Sequence, residues 1–142
     1  MDVGFLMTRK VHRVRCDTGI RRVADIMRTH DIGALPVERA GRLVGMVTDR
    51  DIVTRIIGNG ARSATAVAGD AMTAQVFYVF DDEDAEAVAQ NMSELQVRRM
   101  PVVDRGKRMV GIVSLGDLAC RIRPEVAGDA LEGISEEPGA SG

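Results

Sequence analysis

The chain has 142 residues, enough for one compact domain with a core or for two small ones that share it. Apolar residues make up 45% and charged residues 28%, a globular balance, while 3% aromatics and no Trp leave the core to Val, Ile, Leu, Met and Ala. A net charge of −2 argues against a nucleic-acid-binding domain, which carries a marked basic excess, and no apolar run approaches the roughly 18 residues of a membrane helix.

The N-terminal stretch MDVGFLMTRK sets Asp2 before an apolar patch too short for the core of a signal peptide, so a cytoplasmic protein is expected. Val11 and Val14 then mark a short extended segment, and Asp17-Thr18 offers a helix start. Ile20, Val23, Ala24 and Met27 follow at helical spacing. His30-Asp31-Ile32-Gly33 ends that helix, with Gly33 suited to a left-handed cap and His30 near the negative end of the dipole. Ala34 to Glu38 reads as a strand holding Pro36, Ala40-Gly41-Arg42 as a turn, and Leu43 to Val47 as a second strand. Thr48 opens a second helix, running from Asp51 to Ile57.

The same order then returns. At an offset of 65, Met7-Thr8 matches Met72-Thr73, Val23-Ala24 matches Val88-Ala89, Met27 matches Met92, and Pro36-Val37 matches Pro101-Val102. One inserted residue after Gly41/Gly106 moves the offset to 66, where Val44-Gly45 matches Val110-Gly111 and Asp51 matches Asp117. The second copy is expected as strand 76–80, helix 84–94, strand 100–104, a turn at Gly106, strand 109–113 and helix 115–122. A period of this length present twice means one supersecondary unit duplicated, not a solenoid.

The expected fold is therefore α/β, two β-α-β-β-α repeats. One copy of about 55 residues buries too little by itself, which predicts sheet-to-sheet packing about a pseudo-two-fold axis. The boundaries read as repeat 1 over 1–57, a Gly-, Ala- and Ser-rich linker over 58–69 with a short helix near Ala66-Val67, and repeat 2 over 70–123. The tail 124–142 reads as flexible, with Val126 to Leu131 as a possible docking turn.

The phrase that carries chemistry is also doubled: GMVTDRDI from Gly45 and GIVSLGDL from Gly111. A hydroxyl followed three residues later by a carboxylate is the pattern of a capping box, in which each side chain accepts from the other residue's backbone N–H. The same carboxylate at a helix mouth can accept two hydrogen bonds from a vicinal diol, as an acidic residue holds ribose in dinucleotide-binding folds. The two readings are compatible. Elsewhere the residues offer little: Cys16 and Cys120 make no disulfide framework, and with His12 and His30 they form no zinc-ligand spacing. Asp49 and Asp51 suggest a D-x-D metal site that has no third ligand at a supporting spacing, and no nucleophile–base set is present.

The duplicated unit, its strands GALPV and RRMPVV and its G-h-V-[ST]-x-x-D phrase resemble a tandem pair of CBS domains, or Bateman module, over roughly residues 6–123. DIGALPV, GMVTDRDIV and QVRRMPV are similar to small stand-alone bacterial CBS-pair proteins of the hypoxic response type. The resemblance implies a non-catalytic regulatory module with two clefts for adenosine-containing ligands (AMP, ADP, ATP or S-adenosylmethionine) and no required cofactor. It implies one cleft built from Ser114, Asp117 and Ile112 with Thr8 and Val11, and another from Thr48, Asp51 and Met46 with Thr73 and Val76. It places phosphate-contacting residues just before the Pro-containing strand, where the second copy has Arg98-Arg99 and the first has Gly33-Ala34, so the Ser114/Asp117 cleft is expected to take the phosphorylated ligand. The other cleft is expected to take a less charged adenosyl ligand or none, although Arg50 could supply a cation. It further implies a homodimer, a flat disc of four CBS units, with Met27 and Met92 either on the dimer face or in the core, and an unidentified regulated protein. The alternative function is a ligand-free dimeric adaptor that regulates a partner protein, since one fold serves many functions.

Overall fold

The computed structural model describes residues 1–60 and 62–121. The tail expected over 124–142, with its docking turn, lies outside them. The described chain separates into two compact units that cut across the repeat boundaries. His12–Val76 forms a continuous unit, while Met1–Val11 joins the chain from Phe77 onward to form a split unit.

In the continuous unit the elements are β1 (Val14–Arg15), α1 (Ile20–His30), β2 (Ala34–Arg39), β3 (Arg42–Thr48), α2 (Asp49–Asp51) and α3 (Ala68–Ala71). The helix begun by α2 continues over Ile52–Ile57 with a wider, π-type winding, in which the Gly58 N–H reaches back five residues to the Val53 carbonyl at 2.6 Å. The split unit adds β4 (Val79–Phe80), α4 (Ala85–Leu95), β5 (Arg99–Val103), β6 (Met109–Ser114) and α5 (Leu115–Arg121).

Each unit holds a three-stranded sheet of the same order, β1-β2-β3 and β4-β5-β6. The first strand pairs in parallel with the central one across a helical crossover, and the central strand and the third form an antiparallel hairpin. Ile20, Val23 and Met27 of α1 are buried with Leu35, Val37 and Val47, and Val88, Ala89 and Met92 of α4 with Met100, Val102 and Val113. Both Met27 and Met92 are thus core residues, the amphipathic stripe setting them inward. Residues 58–69, expected as a linker, include Ala66 and Ala68, which join Ala71 in the core of the continuous unit.

Several local expectations are corrected. Both crossover helices end on a left-handed residue that is not glycine, Asp31 (φ 51°) and Gln96 (φ 56°); Gly33 has no positive φ. The short polar side chain of Asp tolerates this conformation, so the helix closes two residues before the glycine. Helix α1 starts after Gly19, and Thr18 instead accepts from the Arg15 N–H at 3.1 Å to close the strand-to-helix turn. The hairpins differ by the inserted residue. Ala40 and Gly41 (φ 52° and 78°) make a two-residue turn with both positions left-handed, whereas the longer loop places Lys107 (φ 64°), not Gly106, there.

Candidate functional site

Beyond β3 and β6, each sheet is extended by a segment from outside its own hairpin. Thr8 pairs with Ile112 through two backbone hydrogen bonds of 2.8 and 2.9 Å, and Thr73 pairs with Met46 through bonds of 2.8 and 3.0 Å. The glycine of the doubled phrase permits this approach. A Cβ on Gly111 would lie 2.7 Å from the Thr8 carbonyl oxygen and from Met7 Sδ, and one on Gly45 would lie 2.8 Å from the Thr73 carbonyl and 2.7 Å from Met72 Sδ. The Met-Thr pair and the glycine are repeated because they meet. Val11 and Val76 lie three residues past these bridges, each half-buried, and among the described residues no hydrogen bond ties either to the strand.

The end of each hairpin then turns into a helix over the same backbone contacts. The Asp49 N–H donates to the Gly33 carbonyl (2.9 Å), and the Leu115 N–H donates to the Arg98 carbonyl (3.0 Å). Ala34 pairs across the ladder with Thr48, and Arg99 with Ser114. The predicted residues are thereby collected into two sets, each within a single unit. Thr8, Ile112, Ser114, Asp117, Arg98 and Arg99 belong to the split unit; Thr73, Met46, Thr48 and Asp51 belong to the continuous one.

The two carboxylates are engaged differently. Thr48 and Asp51 form a complete capping box: the Asp51 N–H donates to Thr48 Oγ1 and the Thr48 N–H donates to Asp51 Oδ2, both at 3.0 Å. The other oxygen, Oδ1, faces Arg55 Nε at 3.8 Å. In the split unit the Asp117 N–H donates to Ser114 Oγ at 3.1 Å. Among the described residues, no hydrogen bond or ion pair engages the Asp117 carboxylate, which is half-buried at the helix mouth. Such a carboxylate accepts on both oxygens and can hold the two hydroxyls of a diol. Arg98 and Arg99 are exposed beside it, and no hydrogen bond or ion pair with either side chain is present among the described residues.

Asp49 was not among the residues expected to bind a ligand. It is exposed, and its carboxylate lies against Gly33, 3.1 Å from where a Cβ would stand, with Oδ1 accepting from the Arg50 N–H at 2.7 Å. The signal was present in the alignment of the two copies, where its counterpart is Leu115, a core residue. Among the described residues no group of three or more His, Cys, Asp or Glu side chains could hold a metal ion. His12 and His30 instead stack on one another with ring centroids 3.8 Å apart. Cys16 Sγ accepts from Arg39 Nε at 3.4 Å, and Cys120 is exposed. No helix among the described residues is long and apolar enough to cross a membrane.

Comparison with known proteins gives these features a context. The CBS domain-containing protein YhcV of Bacillus subtilis is 39% identical over 132 residues, covering 92% of this chain and 93% of its own length. The crystal structure of hypoxic response protein I with two coordinated zinc ions superposes with a TM-score of 0.75 at 36% identity, over 86% of this chain and 99% of that one. The structure of CBSX2 in complex with AMP aligns at TM-score 0.71 and 28% identity, over 84% and 93% of the two chains. The CBS domain pair of protein MJ0100, in complex with 5-methylthioadenosine and S-adenosylmethionine, aligns at 0.66 and 29%, over 84% and 94%. The CBS domain model matches residues 2–58 and again residues 68–123, and the chain belongs to that family as a tandem pair.

Proposed function

We propose that this chain is a non-catalytic, cytoplasmic regulatory module that binds an adenosine-containing ligand at the helix mouths of the doubled phrase, a phosphorylated nucleotide going to the mouth that holds Ser114 and Asp117. The observation that carries this reading is the unengaged Asp117 carboxylate with Arg98 and Arg99 at the adjoining strand start. The carboxylate accepts from ribose hydroxyls, Ile112 and the paired Thr8 backbone flank the base, and the guanidinium groups receive phosphate. AMP in one relative and adenosyl ligands in another support the ligand class. Isothermal titration with AMP, ATP and S-adenosylmethionine tests it. Binding of AMP or ATP is expected, weakened at least tenfold in Asp117→Asn; no heat from any of the three at millimolar concentration, on folded protein, contradicts it.

We further propose that the chain acts on its regulated partner as a homodimer, the four-unit disc of the family. Val53 and Ile57, four residues apart on the π-wound helix and 57% and 61% exposed, form an apolar pair suited to such a contact. The same pair favours the second reading, an adaptor without a ligand. Sedimentation separates the cases: a dimer indifferent to nucleotide and without nucleotide heat supports the adaptor, and a monomer contradicts the disc.

A further inference from the structure

We infer that Asp49 sets the charge class of ligand in the continuous unit, which takes an adenosyl ligand with a neutral or cationic 5′ group and turns away phosphorylated nucleotides. The inference rests on the adenosine reading above and adds to it a selecting residue and a ligand class.

The two mouths share a backbone, so the side chains at equivalent positions decide what differs. Gly33 stands for Arg98, Ala34 for Arg99, and Asp49 for Leu115, while the capping hydroxyls and the third-position aspartates are common to both. In the split unit Leu115 is buried and the strand start carries two guanidinium groups. In the continuous unit the strand start carries none, and the Asp49 carboxylate lies 3.1 Å from the position at which a side chain would leave Gly33. A negative group therefore occupies the exit path that Arg98 takes in the other copy.

The cations on hand do not cancel this. Arg55 is committed, its Nη1 donating to the Met72 carbonyl at 2.8 Å and its Nε facing Asp51. Arg50 is exposed on the first turn, one residue beyond Asp49, and offers a single charge against the carboxylates of Asp49 and Asp51. A phosphate at this mouth meets Asp49 directly, whereas an ammonium or sulfonium group finds in it a counter-ion. The ribose contact is weaker than in the split unit as well, because one Asp51 oxygen already accepts the Thr48 N–H.

In Asp117→Asn the split unit's mouth is weakened at least about tenfold, so titrations of that variant read chiefly the continuous unit. Adenosine and S-adenosylmethionine are expected to bind that variant, with AMP at least about tenfold weaker than adenosine. Adding Asp49→Leu, or the isosteric Asp49→Asn should the leucine perturb folding, is expected to bring AMP within about threefold of adenosine. AMP binding to Asp117→Asn as tightly as adenosine overturns the inference, as does an AMP-to-adenosine ratio that neither Asp49 variant moves. Absence of binding by all three ligands to Asp117→Asn also overturns it, while Asp117-dependent AMP binding in the unaltered chain would leave the reading of the split unit standing.

Discussion

Thr48–Asp51 and Ser114–Asp117 begin their helices with the same hydroxyl-to-carboxylate spacing, yet one carboxylate is consumed by its own backbone and the other is not. Around them the contrast deepens: Gly33 and a surface carboxylate in one unit, Arg98-Arg99 and a core leucine in the other. Duplication supplies two equivalent scaffolds that differ in a few side chains at the rim. On the proposed reading the aspartates common to both copies hold ribose, and the side chains that differ are the natural place to look for ligand choice.

The largest expected effect breaks what the two units share. Gly111→Ala places a methyl group 2.7 Å from the Thr8 carbonyl oxygen, a backbone atom that cannot rotate away, and Gly45→Ala does the same to Thr73. Each is expected to cost about 1–3 kcal/mol in denaturant unfolding, as overpacking does. Gly19→Ala, with nothing within 4 Å of the new methyl, is expected to leave the midpoint nearly unchanged. Equal midpoints for all three would mean that the Thr8 and Thr73 bridges contribute no stability.

Arg98→Ala and Arg99→Ala sharpen the difference between the mouths. Both are expected to weaken AMP several-fold and to flatten the salt dependence of its binding, without changing adenosine. Capping comes next in size. Thr48→Ala removes one arm of a complete box and is expected to cost about 1 kcal/mol, and Ser114→Ala less, since among the described residues the Ser114 N–H makes no return bond to Asp117. Melting curves of the two variants rank them, and a larger loss at Ser114 would reverse the assignment of which carboxylate is engaged.

The smallest effect is a pH dependence at the start of α4. The Ala87 N–H, and after it the N-terminal ammonium, hold the Asp84 carboxyl below its ordinary value. A lowered folded-state value contributes stability above the ordinary carboxylate range, lost as pH falls through the lowered value. Asp84→Asn should therefore lower stability slightly at neutral pH and not at all in strong acid, which paired thermal melts can check.

Much of the unit could be read from the chain because it depends on local spacing. The helical stripe of Ile20, Val23 and Met27, the two hairpins and the capping hydroxyls each follow from neighbours within a few residues. The partition of the chain was not legible in this way. Met1–Val11 joins the unit formed from Phe77 onward through long-range pairing such as Thr8 with Ile112, which no periodicity reports. It was the resemblance to a CBS pair, and not the repeated Met-Thr pair, that set Thr8 with Ile112 and Thr73 with Met46. The π winding of Ile52–Ile57 left no mark in the apolar pattern, and the closing of α1 at Asp31 was missed because a glycine lay two residues on. At the site, the shared hydroxyls and aspartates were visible; Asp49 drew attention only as half of a D-x-D pair that has no third ligand, because no spacing along the chain reports its closeness to Gly33.

The central claim, that the split unit's mouth receives a phosphorylated nucleotide, is tested most directly by following backbone amide resonances as AMP is added. The expected result is a saturable shift of Thr8, Ile112, Ser114 and Asp117, with Asp49 and Asp51 still at their original positions when the first set has saturated. Equal shifts of both sets at the same AMP concentration, or movement of the Asp49–Asp51 amides alone, would contradict it.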